Sequence, residues 1–494
     1  MLVYAALAGF ALPAVRAVIM LAVAQVVMLS RRRTTPSAGL SVSVLVMLAI
    51  DPLATLTASF WLSYLAVAVI LCIAAQSPAT ADTTSRAKRL WSALRTFARL
   101  QVSIGVALLP IAAFTFQEVS IAGFGINFFA VPFFALVLVP MALVQTVALL
   151  SGSAVGLVAS AAAPVATLAW AVLEYAAQWQ FAAISVPAPS PFMMLLAAAG
   201  ALLLLLTRRR RRWLGLAALA PMFIVDVGRP EAGDFDMTVL DVGHGLATVI
   251  RTAQRTLIYD TGPKSRSGFD AGVEIVLPAL RALGVTKVDR IVVSHSDLDH
   301  AGGLAALSAE FPGASIHLGP DADDTVKRTA TCRAGEQWVW DGVRFRYLHP
   351  PEGFLPEGNE TSCVLLIETA AGRVLLAGDI ERRAEQWLAS GRVPEVTALI
   401  APHHGSATSS TAPFVNRTRP KYVLVSAGFQ NRWGFPRPEV LERWHSAGAT
   451  VLTTADVGAT TFTVSGGTTR VSARRLGRHR YWEPHSGATQ ASAL

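Results

Sequence analysis

The chain has 494 residues, of which 53% are hydrophobic and only 15% charged, with a formal net charge of +9. Those proportions exclude an ordinary soluble globular protein and a disordered one, and the length suggests more than one domain. The charge is uneven: residues 1–212 hold 14 Lys and Arg against 4 Asp and Glu, leaving 28 against 29 in the remainder.

Basic residues in the first half cluster at the ends of apolar runs, which marks membrane topology rather than a basic nucleic-acid-binding face. Residues 1–11 read as the tail of one span and 12–30 as the next, closed by Arg31, Arg32 and Arg33. The runs 38–50 and 53–75 are joined by a tight turn at Asp51-Pro52. A basic stretch over 76–100 reads as a helix at the membrane interface. Further spans are expected at 101–117, 119–150, 154–178 and 188–207, the last closed by Arg208 to Arg212. Counting crossings puts all three basic clusters on one side, the cytoplasm. A short run, 213–225, would carry the following domain to the other side, although it is short for a crossing and contains Pro221. Arg16, Gln25, Asn127, Gln145, Glu174, Pro110, Pro132 and Pro140 sit inside the spans. They fit either a channel path or a bundle glued by a few polar groups.

From Asp234 the pattern changes to short apolar strands. Strands are expected over 236–241, 246–252 and 256–260, then a helix near 272–283 and a strand over 288–294. That strand delivers His295, Asp297, Asp299 and His300 before Gly302-Gly303. Packed imidazoles and carboxylates at a strand tip are a way to hold one or two divalent metals. Later strands end in the same manner: a hairpin over 363–377 ends in Gly378-Asp379, and 397–400 ends in Pro402-His403-His404-Gly405. Cys72, Cys332 and Cys363 make no disulfide framework; Cys332 and Cys363 can pair in an oxidising space, and spacing leaves that open.

The motifs Asp-Thr-Gly after a strand (260–262), His-x-Asp-x-Asp-His-x-Gly-Gly, Gly-Asp after a hairpin and a later strand-end His resemble the metallo-β-lactamase fold. The finer wording, LDVGHGLA (240–247), SHSDLDHAGG (294–303), NETSCVLL (359–366), LLAGDIE (375–381), APHHGSATS (401–409) and NRWGFP (431–436), resembles the ComEC DNA-internalisation competence proteins. The membrane half agrees through GFALPAVRAVIM (9–20), DPLATLTASFWLSYLAV (51–67) and VSIAGFGINFFAVP (119–132).

The resemblance implies a polytopic α-helical membrane domain (1–229) and an α/β metallo-β-lactamase-like αββα sandwich (230–473); the polar, basic residues 474–494 read as a disordered tail. It implies an inner-membrane channel that imports single-stranded DNA during natural transformation. The hydrolase-like domain, on the periplasmic face, would degrade the strand left outside, as a metal-dependent nuclease. Implied partners are DNA, membrane lipids, a DNA receptor, a cytoplasmic motor and further copies of the chain. The alternatives are a channel whose hydrolase-like domain is inactive, and a membrane-anchored metallo-hydrolase of another substrate.

By position in the motifs, His295 and Asp297 are expected at one metal, Asp299 and His300 at a second, with Asp379 bridging and His403 capping. Asp299 and His403 would be catalytic. Asp260 would brace the His-rich loop. Asn359 stands where many hydrolases of the fold carry a His. Ser362 and Ser406 would bind phosphate or cap turns. The carboxylate-rich set suits Mn²⁺, Zn²⁺ or Mg²⁺. Two departures stand out. The last motif reads Gly434-Phe435-Pro436 where the family commonly has Gly-His-Pro. The family also carries a further soluble domain and several spans before this point, so an N-terminally shortened form is implied.

Overall fold

The computed structural model describes residues 5–6, 9–30, 35–76, 85–151, 156–179, 182–207, 211–320, 329–354 and 358–476. The basic residues 31–33 and 208–210, and all but the start of the expected tail, lie outside them. The chain divides into two compact units, Met1–Asp226 and Val227–Leu494.

The first unit is helical. Among the described residues, four helices are long and apolar enough to cross a membrane: Leu12–Leu29, Ala58–Gln76, Arg86–Phe116 and Ala122–Ala148. Shorter apolar helices span Pro36–Ile50, Ala162–Ala177 and Pro191–Leu206. Start signals are local: Thr35 and Ser190 each accept a backbone N–H of the first turn, ahead of a proline at the first helical position. A short strand β1 (Glu118–Ser120) pairs antiparallel with β2 (Ala183–Ser185).

Two expectations are corrected here. The basic stretch before residue 100 is no separate interfacial helix: Arg86–Phe116 is one helix of 31 residues. No glycine or proline stops it before Gln117, whose left-handed backbone ends it, and Pro110 is accommodated inside. The run 213–225 forms only an eight-residue helix, Arg212–Leu219, and a 3-10 turn, Ala220–Phe223. At about 1.5 Å per residue this is far short of a bilayer. It packs instead on Pro191–Leu206, where Gly200 backs onto Gly215.

The second unit is built from two sheets. The first runs β17 (Thr468–Ala473), β16 (Thr460–Ser465), β3 (Phe235–Val239), β4 (Ala247–Arg251), β5 (Thr256–Thr261), β6 (Arg290–Val293), β7 (Ser315–Leu318), β8 (Ala330–Thr331). The second runs β15 (Thr450–Thr453), β14 (Tyr422–Val425), β13 (Ala398–Ile400), β12 (Gly372–Leu376), β11 (Val364–Thr369), β10 (Val343–His349), β9 (Gln337–Trp340).

Strand residues alternate between layers. Leu257 and Tyr259 of β5 join Phe345, Leu365 and Leu376 in the core between the sheets. Ile258 turns outward under the helices Leu277–Ala282 and Leu304–Glu310. Val364 and Leu366 turn outward under Arg382–Ala389, Ala412–Thr418 and Pro438–Ser446. The unit is an αββα sandwich, and burial on both faces explains why its central strands read as continuous apolar runs.

The strands that matter for chemistry are parallel. β5, β6 and β7 run parallel in one sheet, and β12, β13, β14 and β15 in the other. Register pairs Ile258 with Ile291, Leu376 with Ile400 and Ile400 with Leu424. The residues following these strands therefore emerge at one edge. The start of the expected tail is ordered: Arg474 N–H donates to Ala459 O, and Arg475 pairs with Asp241 at 2.9 Å.

Candidate metal centre

The edge where these strands end gathers five of the chain's ten histidines, His244, His295, His300, His403 and His404. β6 releases Ser294 and His295, and a one-turn helix, Leu298–Ala301, follows Asp297. Gly302 and Gly303 are required by close approach: a Cβ at either would strike the backbone of Lys264 or Thr261. That contact presses the motif against the end of β5.

β5 ends in Asp260, fully buried with φ 57°. Its carboxylate accepts from Ser294 N at 2.6 Å, Ser294 Oγ at 2.9 Å and His300 Nδ1 at 2.8 Å. β12 ends in Gly378-Asp379, and Asp379 N–H donates to Ser362 Oγ at 3.1 Å. After β13, His403 and His404 both take left-handed backbone, φ 47° and 52°. This turns His404 inward, where its Nδ1 donates to Ser426 O at 2.7 Å.

The hydrogen bonds fix which imidazole nitrogens carry protons. A carbonyl can only accept, so His404 is protonated at Nδ1. His300 donates Nδ1–H to the Asp260 carboxylate. Ser294 Oγ spends its hydrogen on Asp260, so His295 Nδ1, 3.0 Å away, donates to it. In the neutral rings all three Nε2 atoms are lone pairs, and they converge. His300 Nε2 lies 3.1 Å from His404 Nε2 and 3.2 Å from Asp379 Oδ1. His404 Nε2 lies 3.4 Å from both Asp379 Oδ2 and Asp299 Oδ2. His295 Nε2 is buried without a hydrogen-bond partner, 3.6 Å from Asp297.

A buried set made only of acceptors requires positive charge at its centre. Among the described residues, two groups have ligand atoms within 4.8 Å of one another: His295, His300 and Asp379, and His244, Asp299 and His404. Imidazole and carboxylate donors, each braced from outside, fit a divalent metal. The titration behaviour follows. Burial opposes a charge on His300, yet Asp379 and Asp260 hold its pKa well above the usual value. Burial likewise works against ionised Asp379, but His300 and His404 keep its carboxyl well below the usual range. Asp299 is lowered against its own burial by His404 and His300. His244 is pushed down to about 4, by burial first and then by His404.

Of the residues expected from sequence, His295, Asp299, His300 and Asp379 come together in this cluster. Asp297 sits at its edge, its pKa lowered by the imidazole of His295, 3.6 Å away. Asp260 lies behind it as a brace. His403 is at the rim, 4.0 Å from Asp379 Oδ2, with Nδ1 paired to Glu381 Oε1 at 2.9 Å. The buried donor from that turn is the neighbouring His404. Asn359 stands beside His403, Nδ2 to Nε2 3.4 Å, rather than in the cluster. Ser362 donates to Asn359 O and supports Asp379. Ser406 is turned to Thr408, at 3.0 Å, as a turn cap. Glu381 and His404 carried no signal beyond adjacency to Asp379 and His403. Cys332 and Cys363 form a disulfide behind the motif, with Cys363 N–H donating to Ser294 O.

Residues 1–211 match the family described as Competence protein, and residues 240–428 match the Metallo-beta-lactamase superfamily. The chain is similar to Competence protein ComA of Neisseria gonorrhoeae, 32% identical, over 98% of this chain and 66% of that protein. It is similar to Recombination protein 2 of Haemophilus influenzae, 29% identical, over 92% of this chain and 61% of that protein. The chain thus spans between 61% and 66% of the length of these two relatives. Among solved structures it is similar to the metallo-beta-lactamase fold protein YhfI of Bacillus subtilis, 12% identical, covering 44% of this chain and 96% of that one, TM-score 0.32.

Proposed function

We propose, for a chain that belongs to the competence protein family and carries a metallo-beta-lactamase superfamily domain, that it serves DNA uptake at the cell membrane. In this reading the helical unit forms part of a multi-pass channel for one DNA strand. The second unit is a metal-dependent phosphodiesterase that degrades the strand left outside. The observation that carries the hydrolytic part is the convergence of three imidazole lone pairs and two carboxylates at one buried point.

His295, Asp297, His300 and Asp379 would hold one divalent ion, with Asp299 and His404 on its other side. Such an ion supplies Lewis acidity toward a phosphodiester oxygen and toward the attacking water. The chain's own residues do the rest. Asp260 keeps His300 in the tautomer that presents Nε2. His403, held at Nδ1 by Glu381, takes up and returns a proton at Nε2 on the open side of the site. Trp433, 41% exposed, stacks on His244 at 4.0 Å, with the Arg432 guanidinium 4.2 Å from its ring centroid. An exposed aromatic with an arginine beside it offers a base a stacking surface next to the scissile phosphate.

Placement of the second unit outside the cytoplasm rests on its buried Cys332–Cys363 disulfide, since such bonds persist in oxidising compartments, and not on a crossing at 213–225, whose helix is too short. A fusion reporter inserted after residue 235 should read as periplasmic, and a cytoplasmic signal overturns that placement. Uptake of labelled DNA tests the division of labour. Deleting the gene should abolish import, whereas Asp299→Ala should keep import and stop release of labelled nucleotides. Nucleotide release unchanged in Asp299→Ala would defeat the nuclease reading.

A further inference from the structure

We infer that the helical unit carries a site for one anionic phospholipid, in the groove between the helices Ala58–Gln76, Arg86–Phe116 and Pro191–Leu206. The inference rests on the reading that these helices lie in a membrane. The groove has a volume of about 610 Å³, within the range of ordinary ligand sites. Leu65, Val69, Val106 and Leu202 make its wall apolar, and among the described residues its only charged lining is Arg99 and Arg212. The two cations share one end. Leu205 packs against the cluster of Val69, Ile73 and Ala107, whereas Ala197 belongs to the cluster of Ala113 and Val119. The helix Pro191–Leu206 therefore runs antiparallel to Arg86–Phe116. Its C-terminal end, followed by Arg212, meets the half of that helix that carries Arg99. Gln76 ends the third helix at the same place: its Oε1 accepts from Arg99 Nη2 at 2.9 Å, and its Nε2 donates to Cys72 Sγ at 3.2 Å.

Charge at this end is unbalanced. Among the described residues neither guanidinium has a carboxylate partner. Residues 86–99 hold Arg86, Lys88, Arg89, Arg95 and Arg99 and no Asp or Glu. Arg95 and Arg99, one turn apart, repel each other, and cations in the first turn oppose the helix dipole. Anionic head groups reverse both effects. Leu90, Trp91 and Trp213, exposed at the same end, are the apolar and aromatic side chains that a lipid interface takes up. Basic groups at the mouth of an apolar groove between spanning helices match a phosphate head group whose acyl chains lie along the groove. A zwitterionic lipid offers the same chains with a compensating ammonium, so the two guanidinium groups select the anionic one. A nucleic-acid phosphate offers no chains to fill the apolar part.

The test is native mass spectrometry of the full chain in detergent, with phosphatidylglycerol or phosphatidylcholine added at equal concentration. The wild-type chain should retain one phosphatidylglycerol about 25-fold more tightly than phosphatidylcholine, at about fivefold for each guanidinium. Arg99→Gln combined with Arg212→Gln should level the two lipids, and Arg99→Lys combined with Arg212→Lys should keep the preference. Ala68→Trp, which fills the groove, should lower retention of both lipids. Equal retention of the two lipids by the wild-type chain overturns the site, as does an undiminished preference in the double glutamine variant or undiminished retention in Ala68→Trp. Displacement of phosphatidylglycerol by inorganic phosphate marks an anion site without a lipid and overturns it too. Release of the wild-type chain from cell membranes by alkaline carbonate removes instead the membrane reading on which the site rests.

Discussion

Asp260→Asn is the smallest change that should disable the centre without touching a ligand. The amide keeps the side chain's shape, and Asn tolerates the left-handed backbone at this position. Its Oδ1 can still accept from Ser294 N–H. Its Nδ2, however, replaces the oxygen that accepts from both Ser294 Oγ and His300 Nδ1. A donor then faces two donors. His300 must move its proton to Nε2, the atom 3.2 Å from Asp379. Ser294 must reverse to accept from the amide and donate to His295 Nδ1, which drives that proton to Nε2 as well. Two of the three convergent lone pairs are lost through one oxygen-to-nitrogen change. Outer partners of this kind are typically worth about 10–100-fold in metal affinity, or about 1.4–2.8 kcal/mol. Chelator competition with Zn²⁺ on the detergent-solubilised chain measures it directly. Affinity in Asp260→Asn within about twofold of wild type would refute the tautomer reasoning.

Acid should weaken the second unit through His349. This ring is buried against Phe354 and Trp387, its Nδ1 donates to Ser362 O, and its pKa is pushed down to about 4 by burial. A base with a depressed folded pKa binds its proton more tightly when unfolded. Its contribution is intact above the unfolded value near 6.5 and is lost as pH falls toward 4, by roughly 3 kcal/mol in all. Denaturation of wild type and His349→Phe between pH 7 and 4.5 should show a shallower slope for the variant; parallel slopes would exclude His349 as the cause. Trp433→Ala should weaken binding of single-stranded DNA to the metal-stripped chain by about 1–3 kcal/mol, read by fluorescence anisotropy of a labelled oligonucleotide. Unchanged binding would leave Trp433 with no role beyond packing on His244.

Much of the site was legible because its ligands follow apolar strands that end at one edge. His295 to His300 is a local pattern, and Asp260 and Asp379 share its strand-then-polar signature. The inward member of the pair His403-His404 was not legible. Two successive left-handed residues decide it, just before Gly405, where a Cβ would strike Pro436. His244 was not legible beyond its glycine-flanked turn, which the bonds Leu246 N–H to Asp299 O and Ser426 Oγ–H to Gly245 O place beside the cluster. In the membrane half, composition marked the apolar runs but not their continuity. The arginines before residue 100 suggested an interface, yet they are good helix formers and continue into Arg86–Phe116 without a break. The short run after Arg212 looked like a span by hydrophobicity alone, and its helix proved too short.

The central claim is that the buried His and Asp cluster is a metal centre that hydrolyses DNA. The direct measurement is cleavage of single-stranded DNA by the full chain, stripped with chelator and then titrated with Mn²⁺. Cleavage should be absent in chelator, return saturably with metal, and fail at every metal concentration in Asp379→Ala. Cleavage that persists in chelator or in Asp379→Ala, or none from a fully metal-loaded wild-type chain, would contradict the account.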